Sequence, residues 1–132
     1  MTDVTRIGDF SEMHGIPKIS KVSVYAGLAY TSGVVGEPGS DVREQTAQAL
    51  ARIDELLAMA NSDRSRIISA QVWLADMADF AAHNDVWDKW VDPGNLPARA
   101  CVQSALFDPR LLVEIRVIAA VVDDGQSAVS HA

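Results

Sequence analysis

Leu111-Leu112-Val113-Glu114-Ile115-Arg116-Val117-Ile118-Ala119-Ala120-Val121-Val122 reads as one long β-strand. Alternate residues of a strand face opposite sides of its sheet. One side here carries Val113, Ile115, Val117 and Ala119, and the other carries Leu112, Ile118 and Ala120 beside Glu114 and Arg116. A strand that is apolar on both sides belongs inside a sheet that is covered twice. The rest of the chain must supply at least one cover.

Upstream, Ser20 to Tyr25 and Leu28 to Ser32 are two β-prone runs separated only by Ala26-Gly27, the spacing of a tight hairpin. A weaker strand is expected near Val4 to Ile7. Gly33-Val34-Val35-Gly36-Glu37-Pro38-Gly39-Ser40 breaks the pattern as a loop, and Asp41 then opens a helix. Val42, Thr46, Ala49, Leu50, Ile53, Leu57 and Ala60 recur at helical spacing, and Asn61 is a natural stop. Ile67 to Leu74 is a strand. Asp76 and Asp79 head a second helix running to about Trp90, with Phe80, Asn84, Trp87 and Val91 as its buried stripe. After the turn-rich Asp92–Pro97 comes a short strand, Ala98 to Gln103. The expected order is β-β-β-α-β-α-β-β, an α+β fold with two helices on one face of a mixed sheet. No further element remains for the second face, so sheets of identical subunits are expected to cover one another.

A chain of 132 residues, 48% of them hydrophobic, falls in the single-domain range. One domain over residues 1–122 is expected, with 123–132, rich in small and polar residues, as a flexible tail. The net charge of −7, with no basic run, disfavours nucleic acid as a partner. Met1 to Arg6 lacks the basic and apolar regions of a signal peptide, and no stretch has the length of a membrane span. Together with a single cysteine, Cys101, these features lead us to expect a cytoplasmic protein that does not engage membranes. His14, His83 and His131 have no ligand spacing, so no metal site is expected.

Several residues stand out for chemistry. Arg99 lies among small residues in Pro97-Ala98-Arg99-Ala100-Cys101-Val102, and its guanidinium can bind a carboxylate through two parallel hydrogen bonds. A structural ion pair is the commoner fate of such an arginine. Glu114 interrupts the apolar strand, where desolvation suits it to hold a water or shuttle a proton, unless it simply pairs with Arg116, Arg99 or another chain. Gly33, Gly36 and Gly39 lie between a strand and a helix but match neither nucleotide-binding fingerprint, so a plain turn is the reading. Ser32, at the mouth of that loop, can donate to a ligand or to nearby backbone. Asn84 can contact a ligand or serve as a satisfied structural amide. Cys101, close to Arg99, is a small buried side chain or, if the guanidinium is near enough, a thiolate.

Taken in order, Thr31-Ser32-Gly33, Asp79-Phe80-Ala81-Ala82-His83-Asn84, Pro97-Ala98-Arg99 with Cys101-Val102, and Val113-Glu114-Ile115 resemble the RidA (YjgF) family of imine and enamine deaminases, from about Ile19 to Val122. The resemblance implies a chorismate-mutase-like fold, a homotrimer with ligand sites between subunits, and no cofactor. It also implies hydrolysis of reactive 2-imino acids to 2-keto acids and ammonia. In that family the arginine matching Arg99 binds the substrate carboxylate, and the glutamate matching Glu114 positions or activates water. Ser32, Gly33, Asn84 and Cys101 would line the cleft. Many members carry Gly-Pro-Tyr-Ser before the second strand, where this chain has Pro17-Lys18-Ile19-Ser20. Losing that tyrosine leaves the substrate open, and a non-catalytic protein binding a small carboxylate or 2-keto acid is the alternative.

Overall fold

The computed structural model of the chain describes residues 3–10 and 15–122. The expected tail, His14 and His131 lie outside them. Seven strands form one sheet: β1 (Thr5–Asp9), β2 (Ser20–Tyr25), β3 (Leu28–Thr31), β4 (Val34–Val35), β5 (Ile67–Leu74), β6 (Ala98–Gln103) and β7 (Val113–Ala120). The order across the sheet is β1-β2-β3-β7-β5-β6, with β4 also on β7. Only β5 and β6 run parallel, so the sheet is mixed. Helices α1 (Val42–Met59) and α2 (Phe80–Trp90) cover one face.

Local chemistry explains the elements. Ala26 and Gly27 both have positive φ, 51° and 80°, as a two-residue turn of matching twist requires, and they set the register Tyr25↔Leu28. Asp41 caps α1 by accepting from the Glu44 N–H at 2.8 Å. Asn61, at φ 58°, ends it, and the Ser62 hydroxyl donates to the Ala120 carbonyl at 2.6 Å, tying the helix end to β7. Leu50, Ile53 and Leu57 of α1 pack on Val72, Ile115 and Val117, all almost fully buried. Gln45 is equally buried. Its amide donates to the Ser40 and Arg110 carbonyls and accepts from the Leu112 N–H, which ties the loop before α1 to the loop before β7.

Three expectations need correction. The loop after β3 contains β4, because the β-branched Val34 and Val35 continue along β7 as Val34↔Ile115 and Val35↔Glu114. Pairing from β3 stops at Tyr30↔Ile118; the buried Thr31 hydroxyl accepts from the Val117 N–H at 3.0 Å, and the break falls at Ser32-Gly33. In the α2 stripe Trp87 and Val91 are buried as expected, but His83 rather than the half-buried Asn84 lies beneath them, and Phe80 is 40% exposed. Asp76 caps only a preceding 3₁₀ turn, so Phe80 is the first residue of α2 and is left at its exposed end. Finally, the open face of β7 is mixed rather than apolar, since Arg116 is exposed and Glu114 and Ile118 are half-buried.

Candidate functional site

The registers decide which sequence candidates can meet. Ala70 of β5 is opposite Arg99 on β6 and Val117 on β7, and Ala70 and Val117 are buried under the helices. Arg99 therefore rises on the helix side of the sheet, on edge strand β6. Trp73 is opposite Glu114, one residue out of phase, so Glu114 leaves the open side. β5 lies between β6 and β7, which separates the two side chains laterally by about 10 Å at two inter-strand spacings. One chain does not bring Arg99 and Glu114 together.

Each has its own surroundings. Arg99 is half-buried and held by α2: Nη2 donates to Asn84 Oδ1 at 2.7 Å, Nη1 lies 3.2 Å from His83 Nε2, and Cζ stands 5.0 Å from the Trp87 ring centroid. Among the described residues no carboxylate ion-pairs with it. A guanidinium carries five N–H donors, of which these two contacts use two. Among the described residues the other three have no partner, which suits them to an external anion. Cys101 follows two residues along on the same side, packed against the core; burial pushes its thiol up, outweighing the opposing pull of Arg99. It is a thiol, not the thiolate that proximity to arginine suggested.

The second group is built at the β3–β4 break. A methyl placed on Gly33 would fall on the Glu114 carboxylate, 2.8 Å from its Cδ, so only glycine lets that side chain lie across the backbone here. The Ser32 hydroxyl, beside it in sequence, is buried without a hydrogen-bond partner among the described residues. Glu114 pairs with neither Arg116 nor Arg99, and desolvation raises its pKa above the ordinary carboxylate value. Ser32, Gly33 and Glu114 thus form one cluster, and Asn84, Arg99 and Cys101 another. The open face also holds a groove of about 410 Å³ lined by Gln71, Trp73, Arg116 and Ile118 among others, but neither cluster lines it. Among the described residues no group of His, Cys, Asp or Glu could hold a metal ion, and no helix is long and apolar enough to cross a membrane.

His83 is what sequence reasoning missed. Dismissed as a metal ligand, it is fully buried, with Nδ1 3.0 Å from Thr46 Oγ1 on α1 and Nε2 facing Arg99. Its four-residue spacing from Trp87 was the available signal.

A family model described as Endoribonuclease L-PSP matches residues 11–121. The chain belongs to this family, the RidA or YjgF family. A RutC family protein of Haemophilus ducreyi is 44% identical over 79% of this chain and 90% of its own length. The 2-iminobutanoate/2-iminopropanoate deaminase of Mus musculus is 35% identical over 86% of this chain and 82% of that protein. The crystal structure of a YjgF family protein from Neisseria meningitidis superposes with a TM-score of 0.84 at 40% identity, over 92% of this chain and 97% of the other. The RidA fold, expected from the ordered motifs, is the fold observed.

Proposed function

We propose that the protein hydrolyses 2-imino acids to 2-keto acids and ammonia at sites shared between two copies of the chain. The observation that carries the reading is Arg99: a half-buried guanidinium with no carboxylate of its own among the described residues, oriented by Asn84 and His83 with N–H groups to spare. Such a group suits a small carboxylate ligand. Since Glu114 leaves the opposite face of the same sheet, a pocket with both needs Arg99, Asn84 and Cys101 from one copy and Ser32, Gly33 and Glu114 from its neighbour. The orphan Ser32 hydroxyl is then satisfied by the ligand or by the facing chain. A homotrimer, in which every copy gives one cluster to each neighbour, is the assembly we assign.

In the reaction, Arg99 fixes the carboxylate of the iminium form of the substrate. Glu114 takes a proton from water as the oxygen adds to C2, giving a carbinolamine, and then returns that proton to nitrogen. The C–N bond breaks as the hydroxyl becomes the keto carbonyl; its proton passes through Glu114 to the departing ammonia. A raised Glu114 pKa suits a group that must both accept and give a proton near neutrality. Gly33 leaves room for the carboxylate to move.

Ile19, exposed just before β2, stands where many family members have tyrosine, and favours as second reading a protein that binds 2-keto acids without turning imines over. The net charge of −7 weighs against RNA as substrate. Generating 2-imino acids in situ with an amino-acid oxidase and following keto-acid release separates the readings. Acceleration by wild type that Glu114→Gln abolishes supports the enzyme. Calorimetric binding of a keto acid without any acceleration replaces it with the binding protein.

A further inference from the structure

His83 takes no part in the steps above, yet its neighbours dictate its chemistry. The ring is wholly removed from solvent, with Thr46 Oγ1 at 3.0 Å from Nδ1 and Arg99 Nη1 at 3.2 Å from Nε2. A guanidinium has donors only and keeps its charge in proteins. At that contact Nε2 must be the acceptor. The ring's single proton is therefore on Nδ1, where it donates to the Thr46 hydroxyl. Protonating Nε2 would turn an N–H toward the Arg99 N–H and bury a second cation beside the first. Burial and the charge of Arg99 accordingly hold the His83 pKa down to about 4.

We infer that His83 is a positioning residue for the carboxylate-binding arginine: a neutral imidazole, protonated on Nδ1 and anchored to α1 through Thr46, whose Nε2 lone pair fixes one arm of Arg99 while Asn84 fixes the other. The inference rests on Arg99 being the anchor. With the two arms held and the Trp87 ring 5.0 Å from Cζ, the plane of the guanidinium is set before a ligand arrives. A ligand then need not pay for ordering it, and releasing the arm held by His83 should weaken carboxylate binding roughly tenfold. The geometry also makes α1 part of the site, through Thr46, although that helix contributes no group that touches the ligand.

Two variants separate positioning from packing. In His83→Gln the terminal amide reaches the place of Nε2 and can accept from Arg99, whereas in His83→Asn it reaches only the place of Nδ1, keeping Thr46 and deserting Arg99. Binding of 2-oxobutanoate is measured by calorimetry for wild type, both variants and Arg99→Ala, and the imidazole tautomer of wild type is read from its ¹⁵N shifts at neutral pH. The expected result is affinity within about threefold of wild type for Gln and roughly tenfold weaker for Asn, with both folded, and a ring protonated on Nδ1. Equal losses in the two variants, no loss in Asn, or a ring protonated on Nε2 would overturn the inference. If Arg99→Ala binds as wild type does, or wild type does not bind, the anchor reading itself fails. The tautomer then decides the Arg99–His83 bond without any ligand.

Discussion

Replacing Arg99 with alanine should lower kcat/KM for a 2-imino acid by about 10²–10³. The two parallel bonds that a guanidinium makes to a carboxylate are charge-assisted, each worth about 1.5–3 kcal/mol. Half-burial of the site places the pair toward the lower end, about 3–4 kcal/mol, and each 1.4 kcal/mol is about tenfold. The change also strips a donor from His83 Nε2 and Asn84 Oδ1. Asn84 is half-exposed and can turn to water, so the loss of stability comes mainly from His83, at about 1–2 kcal/mol. That leaves a domain of ordinary stability folded. Arg99→Lys keeps the charge but not the fork, and should fall between alanine and wild type, losing about 10–100-fold. The assay couples an amino-acid oxidase to keto-acid detection, with circular dichroism confirming the fold. A folded Arg99→Ala protein with kcat/KM within threefold of wild type would refute the anchor.

Other outcomes follow from the same contacts. Glu114→Gln should reduce kcat by about 10²–10⁴ while keto-acid affinity measured by calorimetry stays close to wild type. Because the Glu114 pKa is raised and the carboxylate form is required to accept the water proton, the kcat/KM profile should fall as pH drops through that raised value; a profile flat down to the ordinary glutamate range would contradict this. His83 has the opposite sign of shift from an ion-paired histidine. Its folded pKa of about 4 lies below the ordinary 6.5, so its contribution to stability is complete above about 6.5 and is lost as pH falls toward 4. Urea unfolding should show about 3 kcal/mol of that pH dependence removed in His83→Gln. Thr31→Val leaves the buried Val117 N–H without its acceptor and should cost about 1–3 kcal/mol in the same experiment, with no shift in the pH profile.

Much of the fold was legible because its signals are local. The two-residue Ala26-Gly27 turn, the Asp41 cap, the stop at Asn61 and the alternating pattern of Ile67–Leu74 each depend on neighbours in the chain, and each occurs where the sequence placed it. The exceptions depend on tertiary pairing. Val34-Val35 is too short to announce a strand and becomes one only because β7 continues past the end of β3. Half of the α2 stripe, Trp87 and Val91, lies where expected, but Asp76 serves a 3₁₀ turn rather than the helix, which leaves Phe80 at an exposed end, and His83 is buried in place of Asn84. For the site, Arg99 and Glu114 could be nominated from residue chemistry, but strand parity across three paired strands was needed to set them on opposite faces. The Ser32-Gly33 break gained meaning only when β4 put Glu114 against it. His83 stayed hidden because its partners, Thr46 and Arg99, are 37 and 16 residues away.

Arg99 and Glu114 on opposite faces of one sheet make the shared site the central claim, and mixing two inactive variants tests it most directly. Arg99→Ala lacks the anchor and Glu114→Gln lacks the base, so neither chain alone forms a complete site. Unfolded together in equal amounts and refolded, they assemble at random, and about one site in four combines an intact Arg99 with an intact Glu114 from different copies. The account predicts recovery of about a quarter of wild-type activity. Activity in the mixture no higher than in either variant alone would mean that the two residues do not act across subunits.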